Sequence, residues 1–176
     1  MKKHLSIFFS LFGMICLSAS AQAATFNLQF RYPDQQTLFA DNGTVKDGDM
    51  NLVWNGYYVT SITSSQFIFD QVGGSTTWPS GVAFCGPVFT LTSPGIIQSV
   101  TLDGSTTINT NQSGLKISYT NNKIYLNWEG VSVNHGQKIV YNYTVSSVPE
   151  PSTYGLIGLA ALGVAFVARR RKLKTA

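Results

Sequence analysis

The segment TFNLQFRY at residues 25–32 decides the fold class. Its side chains alternate in polarity, with Phe26, Leu28, Phe30 and Tyr32 on one side and Asn27, Gln29 and Arg31 on the other. Alternation with a period of two residues is typical of a β-strand that buries one face. Pro33 and Asp34 then interrupt the pattern. We therefore predict a half-buried strand here and an all-β domain around it.

Short runs of β-branched and aromatic residues continue along the chain between turn residues. They predict strands at residues 51–54, 57–62, 66–70, 82–84, 88–92, 96–102, 106–109, 115–119, 123–128 and 136–145. Residues 41–43 and 46–49 are predicted turns around a weak strand, and Asn55-Gly56 predicts a hairpin. Helical spacing of apolar residues is missing between the chain ends. We predict one antiparallel β-sandwich or jelly-roll-like domain at residues 24–147, with a closed barrel as the alternative.

The charge of the chain is concentrated at its two ends. The 176 residues carry a net charge of +4, but seven of the twelve basic residues lie in residues 1–23 and 151–176. Residues 24–150 hold five basic and eight acidic side chains, a net charge of −3. A mildly acidic domain argues against nucleic-acid binding, which requires a basic surface.

The N-terminal sequence MKKHLSIFFSLFGMICLSASAQA, residues 1–23, has the parts of a secretory signal peptide. A basic start precedes an apolar run at residues 5–17, and Ala21-Gln22-Ala23 provides a cleavage site. We expect cleavage after Ala23, with cleavage after Ala21 or an uncleaved anchor helix as the alternatives. The run is short for a membrane span, which favours cleavage.

The C-terminal sequence has three parts in a fixed order. Pro149, Glu150 and Pro151 come first, followed by an uncharged apolar stretch at residues 154–168 and by a basic cluster, Arg169, Arg170, Arg171 and Lys172. We predict a transmembrane helix at 154–168 with the basic cluster as a cytoplasmic stop and the domain outside. Fifteen residues span roughly 23 Å, so the helix must thin the bilayer or recruit residues 151–153.

Residues 148–174 resemble the PEP-CTERM sorting signal of Gram-negative envelope proteins. The resemblance places Pro149, Glu150 and Pro151 at the motif positions, and the segment at 56–63 is similar to a strand in small proteins of this kind. It implies an exosortase-type enzyme as partner, a membrane-bound precursor, cleavage near the motif, and release or transfer to the surface of a polysaccharide-producing bacterium. The same tail is known as an "ice-binding protein C-terminal" domain, a label that assigns no ice binding to the region before it. A simple tail anchor is the alternative.

Cys85 and His135 are the cysteine and the histidine that remain after removal of residues 1–23. A nucleophilic pair would combine them with an orienting group such as Asn134. Cys85 also suits a small buried position beside Phe84, and His135 suits a hairpin turn. We expect these structural roles, and one histidine with one cysteine does not make a zinc site.

Acidic side chains allow two further interpretations. A glycosidase requires two carboxylates that flank the bond, and the candidates are Glu129, Asp70 and Asp103. A calcium site requires several oxygen ligands, and the candidates are Asp47, Asp49 and Asn51, with Asp41 and Asn42 nearby. Because these residues are scattered over predicted turns, we expect solvated loop residues, with no catalytic residue, no metal and no cofactor.

Aromatic residues cluster near turns rich in Asn, Gly and Ser: Trp54, Tyr57, Tyr58, Trp78 and Trp128. Sugar-binding β-domains use flat aromatic faces for pyranose rings and amides for hydroxyl groups. Trp54 and Trp128 suit a core as well as a surface. The candidate glycan contacts are therefore Trp78, Tyr57 and Tyr58.

These features together predict an exported, non-catalytic protein of the cell surface or extracellular matrix. An exosortase would sort it, and its β-domain would have a structural, adhesive or glycan-contacting role. One alternative is an envelope protein that remains anchored by its C-terminal helix and faces the periplasm. A secreted hydrolase built on the same domain is the other.

Overall fold

The computed structural model describes residues 23–50, 52–54, 57–108, 114–146 and 163. The Pro-Glu-Pro motif, the basic cluster and almost all of the predicted segments 1–23 and 154–168 lie outside the described residues, as do Asn51 and Asn55-Gly56. Among the residues that are described, no helix combines the length and the apolar character needed to cross a membrane.

The described part of the chain forms twelve β-strands, and residues 23–146 contain no α-helix where the structure describes them. The strands are β1 (Thr25–Arg31), β2 (Leu38–Lys46), β3 (Leu52–Trp54), β4 (Tyr58–Ile62), β5 (Gln66–Gln71), β6 (Thr76–Thr77), β7 (Gly86–Leu91), β8 (Ile96–Leu102), β9 (Lys116–Tyr119), β10 (Lys123–Asn127), β11 (Ser132–Val133) and β12 (Lys138–Ser146).

The strands form two large sheets and one small one. The first sheet has the order β2-β1-β7-β10-β9, the second has the order β3-β4-β5-β12-β8, and β11 pairs with β6. All of these pairs are antiparallel. The prediction of an antiparallel all-β domain is confirmed.

One aromatic cluster joins the two large sheets. The strand predicted at 25–32 is present as β1, and its apolar residues Phe26, Leu28 and Phe30 are buried. The Phe67 ring on β5 stacks on Phe89 of β7 with ring centroids 3.9 Å apart. Because β5 and β7 belong to different sheets, this stacking places their inner faces against a common core.

The turn predicted at residues 41–43 is wrong, because these residues lie within β2. Leu28 of β1 pairs with Gly43 and the next residue pairs with Asp41, so Asn42 is an extra residue in a β-bulge. Gly43 has a φ of +70°, and Asp41 Oδ1 accepts a hydrogen bond from its amide at 2.9 Å. The local turn geometry is present, but the strand continues through it.

Two predicted strands are also absent. Residues 82 and 83 form bends and Phe84 has no regular secondary structure, with its amide donating to the carbonyl of Pro33 at 3.0 Å. Residues 106–108 lie beside β12 without strand geometry, because the Thr106 hydroxyl bonds both the amide (3.0 Å) and the carbonyl (3.2 Å) of Val140. The short strands β6 and β11 were not predicted. The turn at 46–49 is confirmed.

The domain has two ends that differ in character. We call one the chain-exit end, because β1 begins there at Thr25 and β12 finishes there at Ser146. The opposite end, here called the aromatic end, contains Tyr57 and Trp78. Strand directions assign the other loops, since β7 runs from the aromatic end at Gly86 to the chain-exit end at Leu91.

Candidate functional site

Trp78 lies at the aromatic end directly after β6. Its amide donates to the carbonyl of Val131 at 2.9 Å, which fixes the segment against the β10–β11 connection. The half-buried indole stacks on Phe30 with centroids 5.0 Å apart and on Tyr58 at 5.9 Å, and its Nε1 donates to the Tyr58 hydroxyl at 3.1 Å. Trp78 is thus part of the core as well as of the surface.

Tyr57 and Tyr58 have opposite environments. Tyr58 is the first residue of β4 and is completely buried, so it is excluded as a direct glycan contact and that part of the prediction is wrong. Tyr57 precedes the strand and is 45% exposed. Its carbonyl accepts hydrogen bonds from the amides of Val72 (2.9 Å) and Gly73 (3.1 Å). Tyr57 therefore offers an accessible ring on a backbone held by a neighbouring loop.

Trp128, which the sequence assigned equally well to core or surface, belongs to the core. It is 1% exposed, its ring meets Phe69 edge-on at 4.9 Å, and its Nε1 donates to the Tyr141 hydroxyl at 2.8 Å. Burial raises the pKa values of Tyr141 and Tyr58 far above the usual range, so both hydroxyl groups stay protonated. The interior of the aromatic end is therefore polar but uncharged.

Sequence analysis missed three exposed apolar residues at the same end. Leu38 and Phe39 on β2 are 49% and 56% exposed, and Val72 after β5 is 47% exposed. The Phe39 ring contacts Phe30 edge-on at 6.1 Å, next to Trp78. The consecutive apolar pair Leu38-Phe39 was the available signal, because two adjacent strand residues cannot both face the core.

In the described part of the chain, no hydrogen bond joins Cys85 to His135, and the two side chains differ in burial. Cys85 is 1% exposed, and burial raises the pKa of its thiol to about 11, which disfavours the nucleophilic thiolate. His135 is exposed in the β11–β12 turn beside Asn134, and its Nδ1 lies 2.9 Å from the carbonyl oxygen of Gly73. These positions correspond to the structural roles expected for both residues.

Two of the three carboxylates proposed for glycoside hydrolysis, Glu129 and Asp103, have environments that favour the ionised form. The Gly81 amide and the Lys116 ammonium group, both within 3.0 Å, lower the pKa of Glu129. Hydrogen bonds from Ser105 and Asn142 lower the pKa of Asp103 to about 2. A general acid requires a raised pKa instead. Asp70, the third candidate, pairs in register with Lys138 on the second sheet.

Carboxylates within β2 and in the turn after it accept local hydrogen bonds. Asp49 Oδ2 accepts from the Lys46 amide at 2.8 Å, and Asp41 Oδ2 accepts from Gln29 Nε2 at 3.2 Å. Within the ranges that the structure describes, no three His, Cys, Asp or Glu side chains form a group suited to a metal ion.

A cavity between the sheets, lined by Leu28 and Thr60 among others, measures about 10 Å³. That volume is close to the space of a single water molecule.

The comparisons with known proteins concern the tail. Residues 147–172 match the family model of the PEP-CTERM protein-sorting motif. The chain carries a PEP-CTERM motif. The match confirms the resemblance seen at residues 148–174, and the motif implies exosortase-dependent sorting of an exported protein, with a membrane-associated stage before the surface or the medium. No curated protein and no solved structure matches the chain significantly.

Proposed function

We propose that this PEP-CTERM protein is a non-catalytic component of the cell surface or extracellular matrix. An exosortase-type enzyme cleaves its membrane-bound precursor near Pro149, Glu150 and Pro151, and the β-domain then has a structural, adhesive or glycan-contacting role. The match of residues 147–172 to the sorting motif carries this proposal. The signal-peptide features of residues 1–23 support export.

The chemistry of the domain supports a non-catalytic role. Cys85 is buried as a thiol, and Glu129 and Asp103 are engaged in hydrogen bonds that favour their ionised forms. The two five-stranded sheets, joined by ring contacts such as that of Phe67 with Phe89, support a β-sandwich. Such a domain presents loops and an outer surface to partners without needing a reaction centre.

Intact-mass analysis of membrane, surface and medium fractions from the native host tests the sorting step. We expect a mature species that begins near Ala24 and ends near Pro149 to Pro151. Replacement of Pro149, Glu150 and Pro151 by Ala should leave the precursor in the membrane, whereas the adjacent control Ser152→Ala/Thr153→Ala should be processed normally. A wild-type protein that remains membrane-bound and ends at Ala176 would contradict sorting and favour the anchored envelope protein.

Glycan contact is the specific role favoured by the exposed aromatic ring of Tyr57, which lies at the same end of the domain as the half-buried Trp78. We expect Tyr57→Ala to weaken retention of the mature protein on the polysaccharide of its own host, because a stacking surface is lost. Tyr119→Ala is the matched control, since Tyr119 is 44% exposed but lies near the chain-exit end. Equal retention of both variants and the wild type would contradict glycan contact through this ring.

A further inference from the structure

The first and the last strand of the domain both contact the β7–β8 loop. The Thr25 amide donates to Ser93 Oγ at 3.1 Å, and the Thr25 carbonyl accepts from the Thr92 amide at 2.8 Å. Ser146, the last residue of β12, pairs with Ile96 directly after that loop. The β7–β8 loop therefore holds the start of β1 and the finish of β12 at the chain-exit end.

The connection from the domain to the apolar tail is short. Eight residue steps separate Ser146 from Tyr154, the first residue of the apolar stretch, and they extend over at most about 28 Å. Strand β12 also covers eight residue steps, about 27 Å, and the β11–β12 turn extends beyond its first residue at the aromatic end. A linker that only matches the strand when fully extended keeps the bilayer nearer to the chain-exit end than to the aromatic end.

Two exposed apolar side chains lie at the chain-exit end, one on each side of the second sheet. Ile96 is 36% exposed beside Ser146. Met50 is 67% exposed and follows Asp49, whose carbonyl accepts from the Ile62 amide at 2.9 Å at the same end. Lys46 and Lys123 begin or finish strands there, and Asp47 and Asp49 balance their charge. Contact with a lipid surface would thus depend on the short connection to the apolar tail and on the exposed apolar side chains more than on net charge.

We propose that the chain-exit end faces the lipid surface while the precursor is membrane-bound, with Ile96 and Met50 at the level of the headgroups. The aromatic end then points away from the membrane. This inference rests on the membrane-bound stage of the proposed function, and it adds which surface of the domain meets the bilayer. Cleavage near residues 149–151 would release this surface from the membrane.

Single-cysteine labelling of the precursor that begins at Ala24 and keeps its C-terminal tail tests the orientation, because residues 1–23 then cannot act as a second anchor. Ile96→Cys and Met50→Cys are the variants at the chain-exit end, and Tyr57→Cys and Phe39→Cys are controls of comparable exposure at the aromatic end. Cys16 is absent from this chain, and Cys85 stays unlabelled because it is buried. The labelled proteins are reconstituted into phosphatidylethanolamine–phosphatidylglycerol vesicles that contain nitroxide-headgroup lipids, and fluorescence quenching is measured.

We expect quenching at positions 96 and 50 to be several-fold stronger than at positions 57 and 39, and to disappear when the chain is truncated after Ser147. Equal quenching at all four positions, or stronger quenching at 57 and 39, would overturn the orientation. Flotation of the same samples separates the two proposals. A precursor that does not float with the vesicles contradicts the membrane-bound stage, whereas one that floats without selective quenching contradicts the orientation alone.

Discussion

The two halves of the core are built from similar rings but held by different interactions. At the chain-exit end, Phe67 lies between Phe89 (3.9 Å) and Tyr143 (4.3 Å), with Phe26 edge-on at 5.3 Å. In the half toward the aromatic end, Trp128 donates to the hydroxyl of Tyr141, whose backbone pairs with Phe67, and Trp78 donates to the hydroxyl of Tyr58. The first half depends on packed apolar surface, and the second also depends on polar groups that satisfy one another.

This difference decides how each half responds to a change. In the apolar half, a smaller side chain leaves a cavity and loses buried area. In the hydrogen-bonded half, even an isosteric change leaves a buried donor without an acceptor. Stability measurements on the mature protein can therefore distinguish the halves.

The largest expected effect is in the apolar half. Phe67→Ala should lower the free energy of unfolding by about 3–5 kcal/mol, a large part of the about 5–15 kcal/mol typical of a domain. Phe67 is fully buried and contacts three rings, so its removal leaves a cavity that the sheets cannot close. Urea denaturation monitored by circular dichroism measures the change. The conservative control Phe67→Leu keeps most of the buried apolar volume and should cost clearly less, and equal costs would show that packed apolar volume is not what stabilises this half.

A smaller effect is expected in the hydrogen-bonded half. Tyr141→Phe removes the acceptor of the buried Trp128 N–H and should cost about 1–3 kcal/mol of unfolding free energy. Tyr143→Phe is the matched variant in the other half, where the lost hydroxyl donated to the carbonyl of Thr63 at 2.7 Å. Thr63 is only partly buried, so water can replace that donor and the cost should be lower. A Tyr143→Phe cost as large as that of Tyr141→Phe would show that the two halves do not differ in their dependence on tyrosine hydrogen bonds.

The smallest expected effect is a dependence on alkaline pH. Burial raises the pKa of Tyr143 to about 12, and it raises the pKa values of Tyr58 and Tyr141 further. Tyrosines of the unfolded chain ionise near a pKa of about 10, so stability is fully present below about pH 10 and falls as the pH rises toward the folded values. Each of these tyrosines adds to the loss of stability above about pH 10, and the double variant removes two of them whereas Tyr143→Phe removes one. Urea midpoints from about pH 9 to about pH 11 should therefore fall less steeply for Tyr58→Phe/Tyr141→Phe than for Tyr143→Phe. Equal slopes would show that the two halves do not differ in this respect.

Prediction of the strands succeeded where local pattern and tertiary environment agree. β1 was predicted because one face of its alternating residues meets the core, and β8 was predicted at residues 96–102. β2 was predicted only as a weak strand between two turns, because Asp41 and Gly43 have turn chemistry, and pairing with β1 is what continues the strand through the bulge. β6 and β11 have two residues each, which is too short for a periodic signal.

The candidate site was predicted only in part. Alternation along a strand shows that Tyr57 and Tyr58 face opposite sides, but it does not show which side is buried. Pairing of Tyr58 with Gln71 and contact of its ring with Trp78 decide that point. Exposure of Phe39 was not predicted, because it depends on the position of β2 at the edge of its sheet.

The sequence by itself determined the sorting motif and the all-β class of the domain. The motif is linear: Pro149, Glu150 and Pro151 with the apolar and basic segments after them are recognisable without a fold. The β class follows from a period of two residues, which is a local property of the backbone. Tertiary structure alone decided that Trp128 and Tyr58 are buried, that Cys85 is buried while His135 is exposed, and that Thr25 and Ser146 meet at one loop. Each of these depends on contacts between residues far apart in the chain, and local sequence patterns do not encode such contacts.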